Sequence, residues 1–285
     1  MPMAAPKKHR STVETALEYQ VLAPAHFCFN IEAALRPGQA LLGERLAVSS
    51  GVSVRSFTDP SSGNRFIRFD APVGPLMVNY QADVVLDVEP VPDDLAEVPV
   101  GQLPDEVLHY LMTTRYCESD VLARAAQQMF GHLPPGIGRV RAVTQWIHDA
   151  ITYLPGSTVS TTTAQDVFVQ RAGVCRDFAH LGITLCRALN IPARLVVGYV
   201  WFDEPPQDFH AIFEAWLGGR WVLFDATGMA PPEKLVRTGT GRDAKDVAFS
   251  TLFGAVQMTR KEVRVDEGGR DMQLRIEAEL AAEDA

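Results

Sequence analysis

The first third of the chain carries the short-period pattern of strands. β-branched and aromatic residues cluster across residues 13–22, 26–33, 46–57, 65–70 and 76–88. Turn signals separate these runs: Pro37-Gly38, the polar stretch at residues 59–64, and Pro72 with Gly74-Pro75. In Asn64-Arg65-Phe66-Ile67-Arg68-Phe69-Asp70 polar residues interleave with apolar ones, as a sheet wetted on one face requires. Five or six strands at this spacing predict a small antiparallel β-sandwich over residues 1–95.

Glu89-Pro90-Val91-Pro92-Asp93-Asp94 marks a change of texture, and after Pro104-Asp105-Glu106 the period becomes helical. Val107, Leu108, Leu111 and Met112 form one stripe, and Val121, Leu122, Ala125 and Met129 a second. A third helix is expected over residues 137–151, with Val140, Val143, Ile147 and Ile151 on one face. Thr162-Thr163-Ala164-Gln165 fits a capping box, so a short helix should run from there to Arg171. Gly173 breaks that pattern. From Phe178, Leu181, Leu185, Cys186 and Leu189 recur at helical spacing until Asn190 and Pro192 stop the helix. Residues 194–202, 209–217 and 220–226 read as strands, and Gly218-Gly219 joins the last two as a two-residue hairpin. The pattern therefore predicts an α+β region, helices packed on an antiparallel sheet, over residues 96–275. An acidic, alanine-rich tail at residues 276–285 follows.

Two features of that region carry chemistry. Cys175 falls at the start of a helix, where free N–H groups and the positive dipole end favour a thiolate and can hold a developing oxyanion. The tight turn sets the register of the hairpin: Leu217 faces Arg220, so Ile212 faces Asp225. His210 shares a face with Ile212 and lies one diagonal from Asp225, within reach of an imidazole–carboxylate hydrogen bond. A slip of one residue would put the two on opposite faces. Cysteine at a helix start beside a His–carboxylate dyad is the arrangement for acyl transfer. Cys175 attacks a carbonyl, His210 moves the proton, and Asp225 orients the imidazolium. Of the other cysteines, Cys28 in a strand and Cys186 on an apolar helix face read as core residues, and Cys117 fits core or surface equally.

Composition narrows the alternatives. The 285 residues are 47% hydrophobic and 21% charged, enough apolar material to offset chain entropy. At roughly 150 residues per domain the length allows about two domains. The 26 basic and 35 acidic residues leave a net charge of −9, which disfavours nucleic acid as a partner. The longest apolar runs fall well short of the roughly 18 residues that span a bilayer, so no membrane partner is expected. No apolar stretch follows Lys7-Lys8-His9-Arg10 as in a signal peptide, and a cytoplasmic setting with reduced thiols is the expectation. Four cysteines are too sparse for a disulfide scaffold. Without CxxC, HxxxH or HExxH spacing no metal is expected, and Gly136-Ile137-Gly138 follows no strand, so no cofactor is expected either. The oligomeric state stays open.

Arg171-Ala172-Gly173-Val174-Cys175-Arg176-Asp177-Phe178-Ala179-His180-Leu181 resembles the nucleophile motif of the transglutaminase-like superfamily. Phe209 to Trp216 is similar to its histidine strand, and Gly219 to Thr227 to its aspartate strand, with the same order and spacing. Gly241 to Val247 and the amino-terminal β region resemble segments of the bacterial subgroup of cysteine proteases. The resemblance implies a papain-like core and thiol-dependent cleavage or exchange of amide bonds in a peptide, protein or small amide. Its catalytic residues fall on Cys175, His210 and Asp225. It leaves two further possibilities: a transglutaminase with an amine acceptor, and a silent binding module on the same fold. The side chain that assists the oxyanion is open among Tyr153, Gln165 and Trp146, and Asp177 and His180 are expected to orient the helix or its neighbours.

Overall fold

The computed structural model describes residues 7–49 and 51–267; the expected tail at 276–285 lies outside them. Its amino-terminal strands are β1 (Lys7–Val21), β2 (Ala25–Phe29), β3 (Gln39–Val48), β4 (Arg55–Thr58), β5 (Arg65–Ala71) and β6 (Gly74–Val88). The fold is α+β, with a β-sandwich followed by helices packed on an antiparallel sheet. Two strand expectations need correction. The run at 46–57 is split between β3 and β4, because Gly51 takes φ 84° and turns the chain. The run at 26–33 pairs only as far as Phe29, beyond which Asn30 and Ile31 bond into the neighbouring region.

Each sheet of the sandwich is completed from the far end of the chain. With β13 (Ser250–Phe253) and β14 (Val256–Asp266), the sheet orders are β14-β1-β6-β3 and β13-β2-β5-β4. The expectation that 96–275 belongs wholly to the helical region is thereby corrected: β14 runs antiparallel to β1, with Val13 opposite Val265, and β13 to β2. Alternation explains the pairing, since Val263 and Val265 are buried between exposed Arg264 and Asp266. They join Leu17, Phe27, Phe29 and Tyr80 in one core.

The second region contains α1 (Asp105–Leu108), α2 (Ala123–Phe130), α3 (Ile137–Ala150), β7 (Thr152–Tyr153), α4 (Ala164–Gln170), β8 (Ala172–Gly173) and α5 (Cys175–Ala188). It continues with β9 (Ala193–Tyr199), β10 (His210–Leu217), β11 (Arg220–Phe224) and β12 (Val236–Gly241), in the sheet order β11-β10-β9-β12. The helix expected around Val107 to Met112 shrinks to α1 and one 3-10 turn, leaving Met112 59% exposed and outside the stripe. The capping box is one residue later than expected: Thr163 accepts from the Asp166 amide, and Asp166 accepts from that of Thr163.

Helix α5 lies across the sheet on β10. The approach is close because Gly182 presents no side chain; a Cβ there would stand 2.5 Å from the ring of Phe213. Phe213 is fully buried and cannot swing clear. On the other face of the sheet Glu214, also fully buried, accepts from Arg194 at 2.6 Å and Arg237 at 2.5 Å, locking β10 to β9 and β12. Burial alone would push the Glu214 carboxyl up, but the two guanidinium groups outweigh it and hold the carboxyl below its ordinary range.

Strand β12 joins the two regions. The Gln39 side chain accepts from the Arg237 amide at 2.8 Å and donates to its carbonyl at 2.9 Å, and Asn64 does the same at Thr240. Tyr199 reaches back to donate to the Ile31 carbonyl at 2.7 Å. Gly182→Val should destabilise the protein by about 1–3 kcal/mol, because the methyl groups must displace Phe213. Urea unfolding of the variant against wild type measures this, and an unchanged midpoint would mean that α5 is free to shift.

Candidate active site

The hairpin register is the one the two-residue turn requires: Leu217 pairs with Arg220 and Phe213 with Phe224, with Gly218 and Gly219 at φ 57° and 80°. The ladder stops there. His210 and Asp225 sit just past its end, where their side chains can turn toward each other. His210 Nε2 and Asp225 Oδ2 are 2.9 Å apart, and both side chains are nearly inaccessible to water. The second carboxylate oxygen, Oδ1, accepts from the Thr227 amide at 2.8 Å and its hydroxyl at 2.7 Å. Asp225 is therefore held at both oxygens and cannot rotate away from the imidazole.

Cys175 is the first residue of α5. Its place is set by a carboxylate cap: Asp177 Oδ2 accepts from the Val174 amide at 3.0 Å and from Thr158 at 2.6 Å. Gly173 makes room for that cap, since a Cβ there would stand 2.9 Å from Asp177 Cβ. Arg176 completes it by pairing with Asp177 Oδ1. The Cys175 thiol donates to the Phe209 carbonyl at a long 3.9 Å, which brings it to the residue preceding His210. With Nε2 of His210 engaged by Asp225, Nδ1 is the nitrogen left for the thiol. Burial works against a charged imidazole here. The hydrogen bonds to Asp225 and Cys175, with the charges of both, outweigh it and raise His210 to about 10. Asp225 is correspondingly held below its ordinary range, burial opposing and His210 and Thr227 prevailing.

Of the three oxyanion candidates, Tyr153 is the one whose strand lies directly against the residues leading into α5. The two-residue parallel bridge of β7 with β8 sets Tyr153 opposite Gly173, just before the helix start. Its ring packs 5.9 Å from that of Phe178, in the first turn of α5. Burial, then the Cys175 charge, push that phenol up, so it keeps its proton and can donate. Trp146 instead packs among Phe130, Phe168 and Arg171, and Gln165 is exposed at the start of α4 with its amide bonded to Glu118. The expected core roles hold for fully buried Cys186, and Cys117 also proves to be core; Cys28 points from the partly exposed face of β2 instead. His180 accepts from the Ala244 amide at 3.1 Å and stacks on Tyr116, so it anchors the 241–247 segment to α5. Burial first, then Arg176, drives His180 down to about 3 and keeps it neutral.

The raised His210 couples stability to pH. Its ordinary value is 6.5 and its folded value about 10, so the folded state keeps a proton that the unfolded chain has lost between them. The stabilisation is complete below pH 6.5 and drains away as pH rises toward 10. The stability gap between wild type and His210→Gln should narrow over that window in urea titrations. A gap independent of pH would show that His210 is not held protonated.

Comparison with known proteins agrees with this fold. Residues 123–226 match the transglutaminase-like superfamily, and residues 9–106 match the bacterial transglutaminase N-terminal domain. A crystal structure of a candidate cysteine protease from Cytophaga hutchinsonii is 37% identical, covers 94% of each chain and superposes with a TM-score of 0.88. An uncharacterised Mycobacterium leprae protein is 34% identical over 119 residues, which span 38% of this chain and 42% of that relative. An uncharacterised Mycobacterium tuberculosis protein is 24% identical over 277 residues, 87% of each chain. No helix among the described residues is long and apolar enough to cross a membrane. With a papain-like helix start, a His–Asp hairpin end and a relative alike over nearly its whole length, the chain belongs to the transglutaminase-like superfamily.

Proposed function

We propose that the protein is a thiol-dependent acyl-transfer enzyme, a cysteine peptidase or amidase, with Cys175 as nucleophile, His210 as acid–base and Asp225 as its orienting carboxylate. One observation carries the reading: His210 is bonded at 2.9 Å to a carboxylate through one ring nitrogen, and the carbonyl of the residue just before it accepts from the helix-start thiol of Cys175. An imidazole so held can take the proton of an attacking thiol and return it to a leaving group. The sulfur attacks the amide carbonyl carbon, and the carbonyl electron pair moves to oxygen. That oxyanion would be met by the Cys175 amide and the Tyr153 phenol. Collapse breaks the C–N bond, and the leaving amine takes its proton from His210. Water then gives a proton to His210, attacks the acyl carbon and releases the acid and the thiol. An amine in place of water would make the same site a transglutaminase. All four cysteines are free, which supports a cytoplasmic, reducing setting.

Wild type and Cys175→Ala treated with iodoacetamide near neutral pH give the first test. Cys175 should label in the folded protein; equal labelling of the two, or labelling only after unfolding, would sink the reading. A peptide and amide library screened with and without added amine then separates the outcomes. Product formed without amine supports hydrolysis, and product that requires it supports transglutamination. On any substrate so found, Tyr153→Phe should lower kcat by about 100-fold, the effect of deleting one oxyanion donor. An unchanged kcat would remove Tyr153 from that role.

A further inference from the structure

The segment entering β10 is not held by the helical region alone. Phe209, whose carbonyl accepts from the Cys175 thiol, stacks on Phe249 at 4.8 Å and lies against Tyr199 at 5.3 Å, packed onto the sandwich core. Gln207 accepts from the Val265 amide at 2.7 Å through its side chain. Between them Asp208 accepts from the Phe209 amide at 2.8 Å through Oδ1 and pairs through Oδ2 with Lys261. Lys261 stands on β14, 5.9 Å from the centre of the Phe249 ring. Three consecutive residues before His210 are thus tied to the sandwich.

Asp208 matters because of where it stands. It directly precedes Phe209 and accepts from that residue's amide, and the Phe209 carbonyl meets the Cys175 thiol at 3.9 Å, so its charge lies beside the atoms where negative charge would have to build during acyl transfer. A bare carboxylate in that place opposes both a thiolate and an oxyanion. The cation next to Cys175 in sequence does not answer it, since Arg176 is committed to Asp177, Thr158 and the Val159 carbonyl. The group that does answer it comes from the sandwich.

Resting on the function proposed above, we propose that Lys261 is a positioning residue of the Cys175 site, pairing Asp208 so that negative charge can build at Cys175 and Tyr153. The sandwich then contributes a charge to the chemistry as well as a wall to the fold. Because the pair is partly exposed, with side chains 35% and 41% accessible, its effect is that of one unit charge in a high-dielectric setting, about fivefold in rate.

The test uses the full chain and a small neutral acyl donor, p-nitrophenyl acetate, at pH 7 and low salt, reading the rate of the acylation burst. Lys261→Met should slow the burst about fivefold, and Lys261→Arg should leave it near wild type. Adding Asp208→Asn to Lys261→Met should restore the rate, because the offending charge is gone. Raising the salt should recover part of the loss in Lys261→Met alone. If the pair is only a mechanical tether, the double variant stays as slow as the single one, and the proposal is overturned. A burst that Lys261→Met leaves unchanged overturns it as well. A wild-type burst no larger than that of Cys175→Ala is a different failure: it removes the proposed function itself, and this inference with it.

Discussion

Everything in the site is referred to one element, a helix with almost no face to water. Each residue of α5 from Asp177 to Arg187 is buried. A helix so placed is stable only if the polar groups it takes inside find partners, since an unpaired buried donor costs about 1–3 kcal/mol. Most find them, in the surrounding chain or one turn back along the helix, while His180 Nδ1 is left without one. Arg187 donates to the carbonyls of Met112, Ala193 and Arg242, Thr184 to the His180 carbonyl, and His180 accepts from Ala244. Asp177 binds the loop at Thr158. These bonds fix the axial position of the helix, and Gly182 against Phe213 fixes its height above the sheet. Cys175 at its start is consequently presented at one place relative to β10.

The electrostatics follow from that placement. A buried imidazole is ordinarily neutral, as His180 shows on the same helix. His210 is as deeply buried and yet favours its proton, because Asp225 and Cys175 stand on its two sides. The difference between the two histidines is one of partners, not of depth. Asp225 can serve because Thr227 takes its other oxygen, which leaves a single oxygen aimed at the ring.

The sandwich is built into this site. Strand β12 is bonded on one side to β9 and on the other to Gln39, Asn30 and Asn64 side chains from the sandwich. Tyr199 and Val236, on strands of the second sheet, are buried in the sandwich core. Through these bonds and this shared core, a change in the sandwich should be felt at β9 and β10.

Short-range rules made much of this legible. A two-residue glycine turn sets a register, the register sets which faces agree, and His210 and Asp225 therefore meet. Gly173 and the stripe from Phe178 to Leu189 likewise locate a helix start at Cys175, because helix periodicity and termination are properties of neighbours in sequence. What could not be read were pairings between distant segments. Strand β14 completes a sheet with β1 through contacts such as Thr15 to Glu262, 247 residues apart. Tyr153 is set opposite Gly173, two residues before Cys175, by a parallel bridge two residues long, too brief to leave a periodic signature. Lys261 looks like any charged residue on an exposed strand until the fold sets it beside Asp208. The sequence by itself determined which cysteine starts a helix and which histidine and carboxylate meet, since backbone stereochemistry acts over a few residues. Tertiary structure decided that Tyr153 stands across from Gly173 and Lys261 beside Asp208, because burial and long-range pairing depend on the whole chain.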